Sequence, residues 1–339
     1  MMKQNKVQDF FKNPLSQIIV FAIIMAVLQV LSMAGLIPNS FMYALGNTMI
    51  YAIAAIGFCL LLGYSGLASL GTAGFIGIGS YAAFYVMQQF GLPYIAALIV
   101  TLIVSIVIGV VVGFISLRIE GIYLAILTLG LSEIIRNLLM AIKPTIKIDL
   151  ENAKLFGLQL GDRGGYFLIL AVFVVLLWLT SNLINSPTGR AMLAMKNSTS
   201  AAQAMGISLM KFRLLAFVIA TVFAAVAGLM YMIFVRTMTT ATSTLLTLTT
   251  SLNILGAVII GGAKSLWGTS FGVLIIYGIQ SMFLSKIDFF QKNPAFITML
   301  TGVLIILVVM FFPGGFAQIA LQVKLWFKKK FSKAGKGVA

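Results

Sequence analysis

From Asn13 to Leu117 the chain carries no charged residue. Soluble domains run at about 25% charged residues, so a stretch of that length has no means of presenting a solvated surface. The rest of the 339-residue chain follows suit, at 61% hydrophobic and 9% charged. Crossing a bilayer takes about 20 consecutive apolar residues in an α-helix, and this sequence supplies many such runs. The composition therefore defines an integral, all-α membrane protein, a polytopic helical bundle.

Apolar runs bounded by turn residues or charge predict about ten helices, at 17–37, 43–63, 66–88, 94–117, 121–141, 166–185, 212–235, 246–263, 267–285 and 296–317, with eight or nine spans plus re-entrant segments as the alternative. The breaks have physical causes. Pro38-Asn39-Ser40 and the segment from Gln88 to Pro93 cannot continue a helix cheaply, and Arg118 with Glu120 marks a tight interfacial turn. An even number of spans puts both termini on one side. Taking that side as cytoplasmic places most of the 23 Lys and Arg inside, as the positive-inside rule requires. The basic segment from Lys324 to Lys336, with Trp326 as an interfacial anchor, weighs most.

This predicts a short cytoplasmic N-terminal segment (1–16), a permease-like transmembrane domain (17–320) and a basic cytoplasmic tail (321–339). Lys3, Lys6 and Lys12 precede the apolar run Ile18–Ile37, which exceeds the roughly 7–15 residues of a signal-peptide core. A retained first helix is expected. The single cysteine, Cys59, excludes a disulfide framework or thiolate cluster, and the absence of histidine removes the commonest metal ligand and proton shuttle. The net charge of +16 sits in loops and tails beside spans, where it serves orientation and contact with anionic lipids, so no nucleic-acid partner is expected.

Two segments do not resemble plain spans. Residues 186–213 form the longest inside loop. Ser198, Thr199 or Ser200 can cap the run AAQAM there, and Gly206 can end it. Its small apolar face (Ala201, Ala202, Ala204, Met205, Ile207) with few charges suits a protein docking surface better than a lipid-surface helix. Residues 142–165 carry nearly balanced charge and predict a solvated outside loop.

Residues 63–80 read GYSGLASLGTAGFIGIGS, with six glycines and no charge. Each glycine costs a helix interior about 1 kcal/mol relative to alanine. One reading is close helix packing; the other is an interrupted helix lining a passage, with Ser65, Ser69, Thr72 and Ser80 supplying hydroxyls. SLGTAGFIGIGSY from Ser69 is echoed weakly by SLWGTSFGVLIIYG from Ser265, and Gly-interrupted repeats point to transport paths. Glu133 and Arg136 are helix neighbours able to pair. A charged group in a span costs at least about 2.5 kcal/mol near the centre, so the pair is either a structural pin or substrate-facing. No phosphate-binding loop, HExxH or His-supported nucleophile is present, which excludes an enzyme carrying those motifs and leaves any pump dependent on energy from elsewhere.

GYSGLASLGTAGFIGIGSYAA, LRIEGIYLAILTLGLSEIIRNLL, SPTGRAMLAMKNSTSAAQAMGISLMKFRLLAF, GAVIIGGAKSLWGTSFGVLII and VLIILVVMFFPGGF follow one another in that order. Together they resemble the inner-membrane permease of bacterial branched-chain amino acid ABC importers, of the LivM type, over most of residues 45–317. The resemblance implies a type II importer. A second permease pairs with the first, hetero- or homodimeric, two ATPase subunits bind ATP and Mg, and an extracytoplasmic binding protein delivers ligand. The chain itself then needs no cofactor, metal or catalytic residue. Its coupling helix would be Ser200, Ala201, Ala202, Gln203, Ala204, Met205, Gly206 and Ile207, within a loop at 186–211. Ser69, Gly71, Thr72, Gly74, Gly77, Thr128, Glu133 and Arg136 are candidates for the translocation path or its packing. Leucine at Gly71, Gly74 and Gly77 together is expected to abolish transport while leaving insertion intact.

The sequence departs from the family pattern in three places. Asn197, Ser198 and Thr199 stand where an acidic residue or two is usual. MAIKPTIKIDLENAKLFG replaces a common Thr-Gly-Gly turn, and Glu120 stands where a basic or neutral residue is common. A urea or short-amide importer permease is a close alternative. An ion- or proton-coupled carrier is a more distant one, with Glu133 as its only acidic residue in a span, and a membrane scaffold is a third.

Overall fold

The computed structural model describes residues 14–119, 121–149, 154–155, 158–159, 162–240, 243–284, 287–292, 294–312, 314–318 and 322. The lysines before residue 13, Glu120 and the basic tail with Trp326 lie outside them. The helices are α1 (Pro14–Met33), α2 (Asn39–Ser65), α3 (Thr72–Phe84), α4 (Tyr94–Ser116), α5 (Ile122–Ile142), α6 (Asp162–Asn185), α7 (Pro187–Asn197), α8 (Thr199–Ala204), α9 (Leu209–Val235), α10 (Leu248–Gly261), α11 (Leu266–Met282), α12 (Asp288–Lys292) and α13 (Pro294–Phe311).

Among the described residues six helices are long and apolar enough to cross a membrane: α1, α2, α4, α5, α6 and α9. The other four apolar runs, expected as full spans, fold as the shorter helices α3, α10, α11 and α13. Glycine-marked turns consume their length. Gly66 and Gly262 both adopt positive φ and stand between paired helices, so each run is part helix and part turn. Three helices also widen into π turns, at Leu61–Ser65 in α2, Tyr85–Gln89 after α3 and Leu274–Gly278 in α11.

The core lies where α9 crosses α2, α3 and α4. The apolar window of α2 is 89% buried, while those of α4 and α5 are 22% buried. α3 is buried on almost every side, as expected for a helix whose apolar character runs all round. It approaches α9 backbone to backbone. A Cβ at Gly79 would collide with Ala225 O, and one at Gly228 with Ile76 O. Ser80 Oγ donates across this crossing to Gly228 O at 3.1 Å.

The two ends of the bundle differ. At one end the segment expected as a solvated loop instead forms β1 (Thr145–Lys147), β2 (Lys154–Leu155) and β3 (Leu158–Gln159). β1 pairs antiparallel with β4 (Thr237–Thr239), Ile146 opposite Met238, and β2 pairs with β3. The alternation Thr-Ile-Lys-Ile explains it: Ile146 and Ile148 turn inward and are buried, a period-2 signal. Ile148 N donates to Arg236 O at 2.8 Å, and Gln88 Nε2 ties α3's trailing turn to Asp149 Oδ2 at 2.8 Å. Tyr81 OH contacts Leu139 O, Lys143 O and Thr240 Oγ1 at this same end. At the opposite end lie α7, α8, the end of α2 and the α10–α11 turn. There Gln17, Tyr64, Asn185 and Lys264 surround one cavity.

Candidate functional site

The Gly-rich stretch is where α2 stops and α3 starts, inside the bundle. After the π turn, Gly66 takes φ +75°, a left-handed conformation that glycine adopts without penalty. α3 then begins at Thr72, and a helix start leaves backbone N–H groups without intrahelical partners. In an apolar interior each would cost several kcal/mol. Here side-chain hydroxyls meet them. Leu70 N donates to Thr128 Oγ1 at 3.0 Å, Gly71 N to Ser69 Oγ at 3.3 Å, Ala73 N to Ser251 Oγ at 3.0 Å and Gly74 N to Ser132 Oγ at 2.9 Å. The spacing of four residues is the same on both partners, so Thr128 and Ser132 stack on one face of α5 opposite Leu70 and Gly74.

The three candidate glycines face α5. A Cβ would lie 3.0 Å from Thr128 O at Gly71, 2.9 Å from the Ser132 Cα at Gly74, and 2.9 Å from Leu139 Cδ1 at Gly77. These glycines are occupied by helix packing. Ser69 and Thr72, both buried, border a narrow cavity between α2 and α9 that Phe58, Phe75 and Thr221 also line. The structure thus gathers Ser69, Gly71, Thr72, Gly74, Gly77 and Thr128 at one junction.

Glu133 follows the buried Ser132 but is itself exposed, and neither it nor Arg136 makes any of these contacts. Arg136 Nη1 donates to Glu133 Oε1 at 2.8 Å, with the arginine side chain 23% and the glutamate 48% exposed. Asn137 Nδ2 donates to Glu133 O at 2.9 Å. The pair sits midway along α5 on its outward face.

The segment beneath the junction is ordered by its caps. Ser186 accepts from Gly189 N at the start of α7, with Pro187 in the first turn, where its missing N–H is harmless. Met192 and Met195 are buried and anchor α7. Ser198 Oγ accepts from Ala201 N at 3.3 Å and starts α8. The helix closes with Gly206 N donating to Gln203 O and Ile207 N to Ala202 O, the Schellman pattern, with Gly206 at φ +80°. Ala202 is buried, whereas Ser200, Ala201, Gln203, Ala204, Met205 and Gly206 are exposed and Ile207 is half-buried; Met205 is 82% exposed. α8 therefore offers a rigid apolar knob with no group that performs chemistry.

Several functional residues were not anticipated from sequence. Ser132 and Ser251 complete the caps of α3, and the repeat of hydroxyls at Thr128 and Ser132 was a readable signal. Lys196 Nζ donates to Leu62 O at 3.0 Å and Gly63 O at 2.8 Å; a cation one turn beyond Met192 on α7 was the clue. Burial lowers its amine below the usual lysine range, helped by the neighbouring Lys264 and opposed by Cys59. Near the β1–β4 end, Gln29, Asn39, Ser40, Met42, Tyr43, Tyr166 and Phe234 enclose a cavity of about 450 Å³. Tyr43 stacks on Phe234 there at 4.9 Å.

A multi-pass membrane protein built around an interrupted, hydroxyl-capped helix and carrying an exposed capped helix at one end is of the transporter class, in which broken spans mark the path. The chain belongs to the family described as branched-chain amino acid transport system / permease component, matched over residues 40–309. As a member it is a transport subunit and not an enzyme. It is 30% identical over 213 residues to the high-affinity branched-chain amino acid transport system permease protein LivM of Escherichia coli (strain K12). The same identity and length hold for LivM of Salmonella typhimurium (strain LT2). Each match covers 54% of this chain and 50% of the relative, so the chain spans about half the length of the curated relatives it matches. No solved structure matches it.

Proposed function

We propose that the chain is one permease subunit of an ATP-driven importer in a bacterial inner membrane, taking up branched-chain or similar small neutral amino acids. The observation that carries this reading is α8, an exposed helix fixed by caps at both ends in a chain with no phosphate-binding loop of its own. Separate ATPase subunits dock on α8 through Met205 and its small neighbours and bind the ATP and Mg. An extracytoplasmic binding protein delivers ligand to the end bearing β1 and β4. The substrate class rests on the family and on the two relatives.

The second permease covers the outward face of α5. An ion pair midway along a span is costly against lipid, and Glu133 is exposed in the single chain, so this face needs a polar or packed partner. The same placement weighs against a proton-coupled carrier. Glu133 is held by Arg136 and Asn137 and is exposed, whereas its neighbour Ser132 is buried and occupied with Gly74 N.

Co-purification tests the docking. Met205→Glu places a charge in an apolar contact, and loss of a hot-spot residue costs about 2 kcal/mol or more. The variant is expected to lose its ATPase partners while remaining membrane-inserted. Undiminished recovery of the ATPases would refute docking on α8.

A further inference from the structure

Lys196 is the penultimate residue of α7, separated from α8 by Asn197 and Ser198 alone. Its ammonium reaches 133 and 134 residues back in sequence to Gly63 O and Leu62 O. Both carbonyls belong to the π turn that ends α2, where the last carbonyls of a helix have no intrahelical donor. The lysine stem also packs on Gly66, its Cγ 3.2 Å from where a Cβ would stand. Gly66 is the left-handed residue that releases the chain into the Ser69–Thr72 segment.

The same turn is tied to the α10–α11 connection. Gly63 approaches it so closely that a Cβ would collide with Ala263 O. Cys59 Sγ donates to Ala263 O at 3.1 Å, and Tyr64 OH donates to Lys264 O at 3.1 Å. Three chain reversals meet here: the end of α7, the end of α2 and the start of α11. Through Gly66, the junction leads directly to the segment whose N–H groups are capped by Thr128, Ser132 and Ser251.

We propose that Lys196 is a positioning residue that transmits displacement of α8 to the broken helix by gripping the Leu62 and Gly63 carbonyls. The inference rests on the reading of α8 as the ATPase docking segment. When the docked subunits move α8, the end of α7 follows, because Asn197 and Ser198 alone join Lys196 to α8, and the buried Met192 and Met195 keep that end packed on the bundle, so the displacement passes to the π turn. The ammonium then draws or releases the π turn. A π turn is a wide, easily reset piece of helix and recurs at functional sites. The Gly66 hinge converts that change into a shift of Ser69 and Thr72.

The test uses Lys196→Met, which keeps the stem on Gly66 and removes the donor, and Lys196→Arg, which keeps a cation with donors. Both are placed in the complete complex in proteoliposomes with radiolabelled leucine and its binding protein. Removing hydrogen bonds to a charged group typically shifts an equilibrium by about tenfold or more, so K196M is expected to keep ATP hydrolysis near wild type while leucine moved per ATP falls about tenfold. K196R restores the ratio. Equal loss of hydrolysis and uptake, or no loss of either, overturns the proposal. A second readout needs no transport. Cys59, the chain's single cysteine, is buried in the same junction, and K196M is expected to speed its labelling by a membrane-permeant maleimide several-fold; an unchanged rate overturns the grip on the π turn. If wild type takes up no leucine while K196M still exposes Cys59, the importer reading of the substrate has failed and the junction stands.

Discussion

Hydroxyl groups decide whether a helix can begin inside this bundle. Gly74 N has Ser132 Oγ at 2.9 Å, and Leu70 N has Thr128 Oγ1 at 3.0 Å. Ser132→Ala leaves the Gly74 donor buried without that partner, at a cost of about 1–3 kcal/mol. The expected outcome is a lower thermal unfolding midpoint in nanodiscs, with Ser132→Thr far milder; an unchanged midpoint for the alanine variant contradicts the capping role. Thr128→Val tests the same point at Leu70 while preserving shape. Its effect is expected to match in sign. Part of this was legible in the chain, because Thr128 and Ser132 stand at helical spacing and short hydroxyl side chains within a span have few uses besides meeting backbone groups. What sequence could not show was which backbone they meet, since the partner lies 58 residues away.

At the scale of elements, α3 and α8 depend on glycine in different ways. In α3 the glycines make room. Gly71, Gly74 and Gly77 turn to α5, and Gly79 turns to α9. Leucine at the first three therefore wedges α3 from α5, and loss of transport is expected together with a lowered melting temperature, measured on the same purified sample. In α8 a glycine supplies a conformation. Gly206→Ala forces an L-residue into left-handed space, at about 1–2 kcal/mol. The expected result is a frayed α8 with faster amide exchange at Met205 and Ile207 and weaker ATPase stimulation; native-like exchange there would contradict the Schellman closure. The bounds of α8 were legible because Ser198 and Gly206 are strong punctuation in a short run. The β1–β4 pairing was not, since a three-residue strand with a distant partner gives little periodicity, and net charge masked the inward Ile146 and Ile148. The four shorter helices differ from full-length spans for a related reason: hydropathy registers apolar length but does not distinguish a turn inside an apolar run.

Across the whole molecule, burial is lopsided. α2 and α9 fill the interior, while α1, α4 and α5 show long apolar faces outward. Lipid suits most of that surface, and the pairing proposed above puts the Glu133–Arg136 pair of α5 at the contact with the second permease. Glu133→Leu leaves Arg136 without its carboxylate at that contact, an uncompensated charge that disfavours pairing. The fraction of paired permeases in native mass spectrometry is expected to fall, and Glu133→Leu with Arg136→Leu to recover it, since an apolar replacement of both partners is often neutral. Equal pairing in all three would place the interface elsewhere. In the proposed function, α8 couples separate ATPases to passage through the broken helix. The most direct measurement is ATP hydrolysis and leucine uptake by the reconstituted complex with leucine-loaded binding protein, comparing wild type with Gly206→Pro. Stimulated hydrolysis and uptake are expected in wild type, with loss of both responses in the variant. Uptake that follows a proton gradient without any ATPase, unaffected by Gly206→Pro, would contradict that coupling.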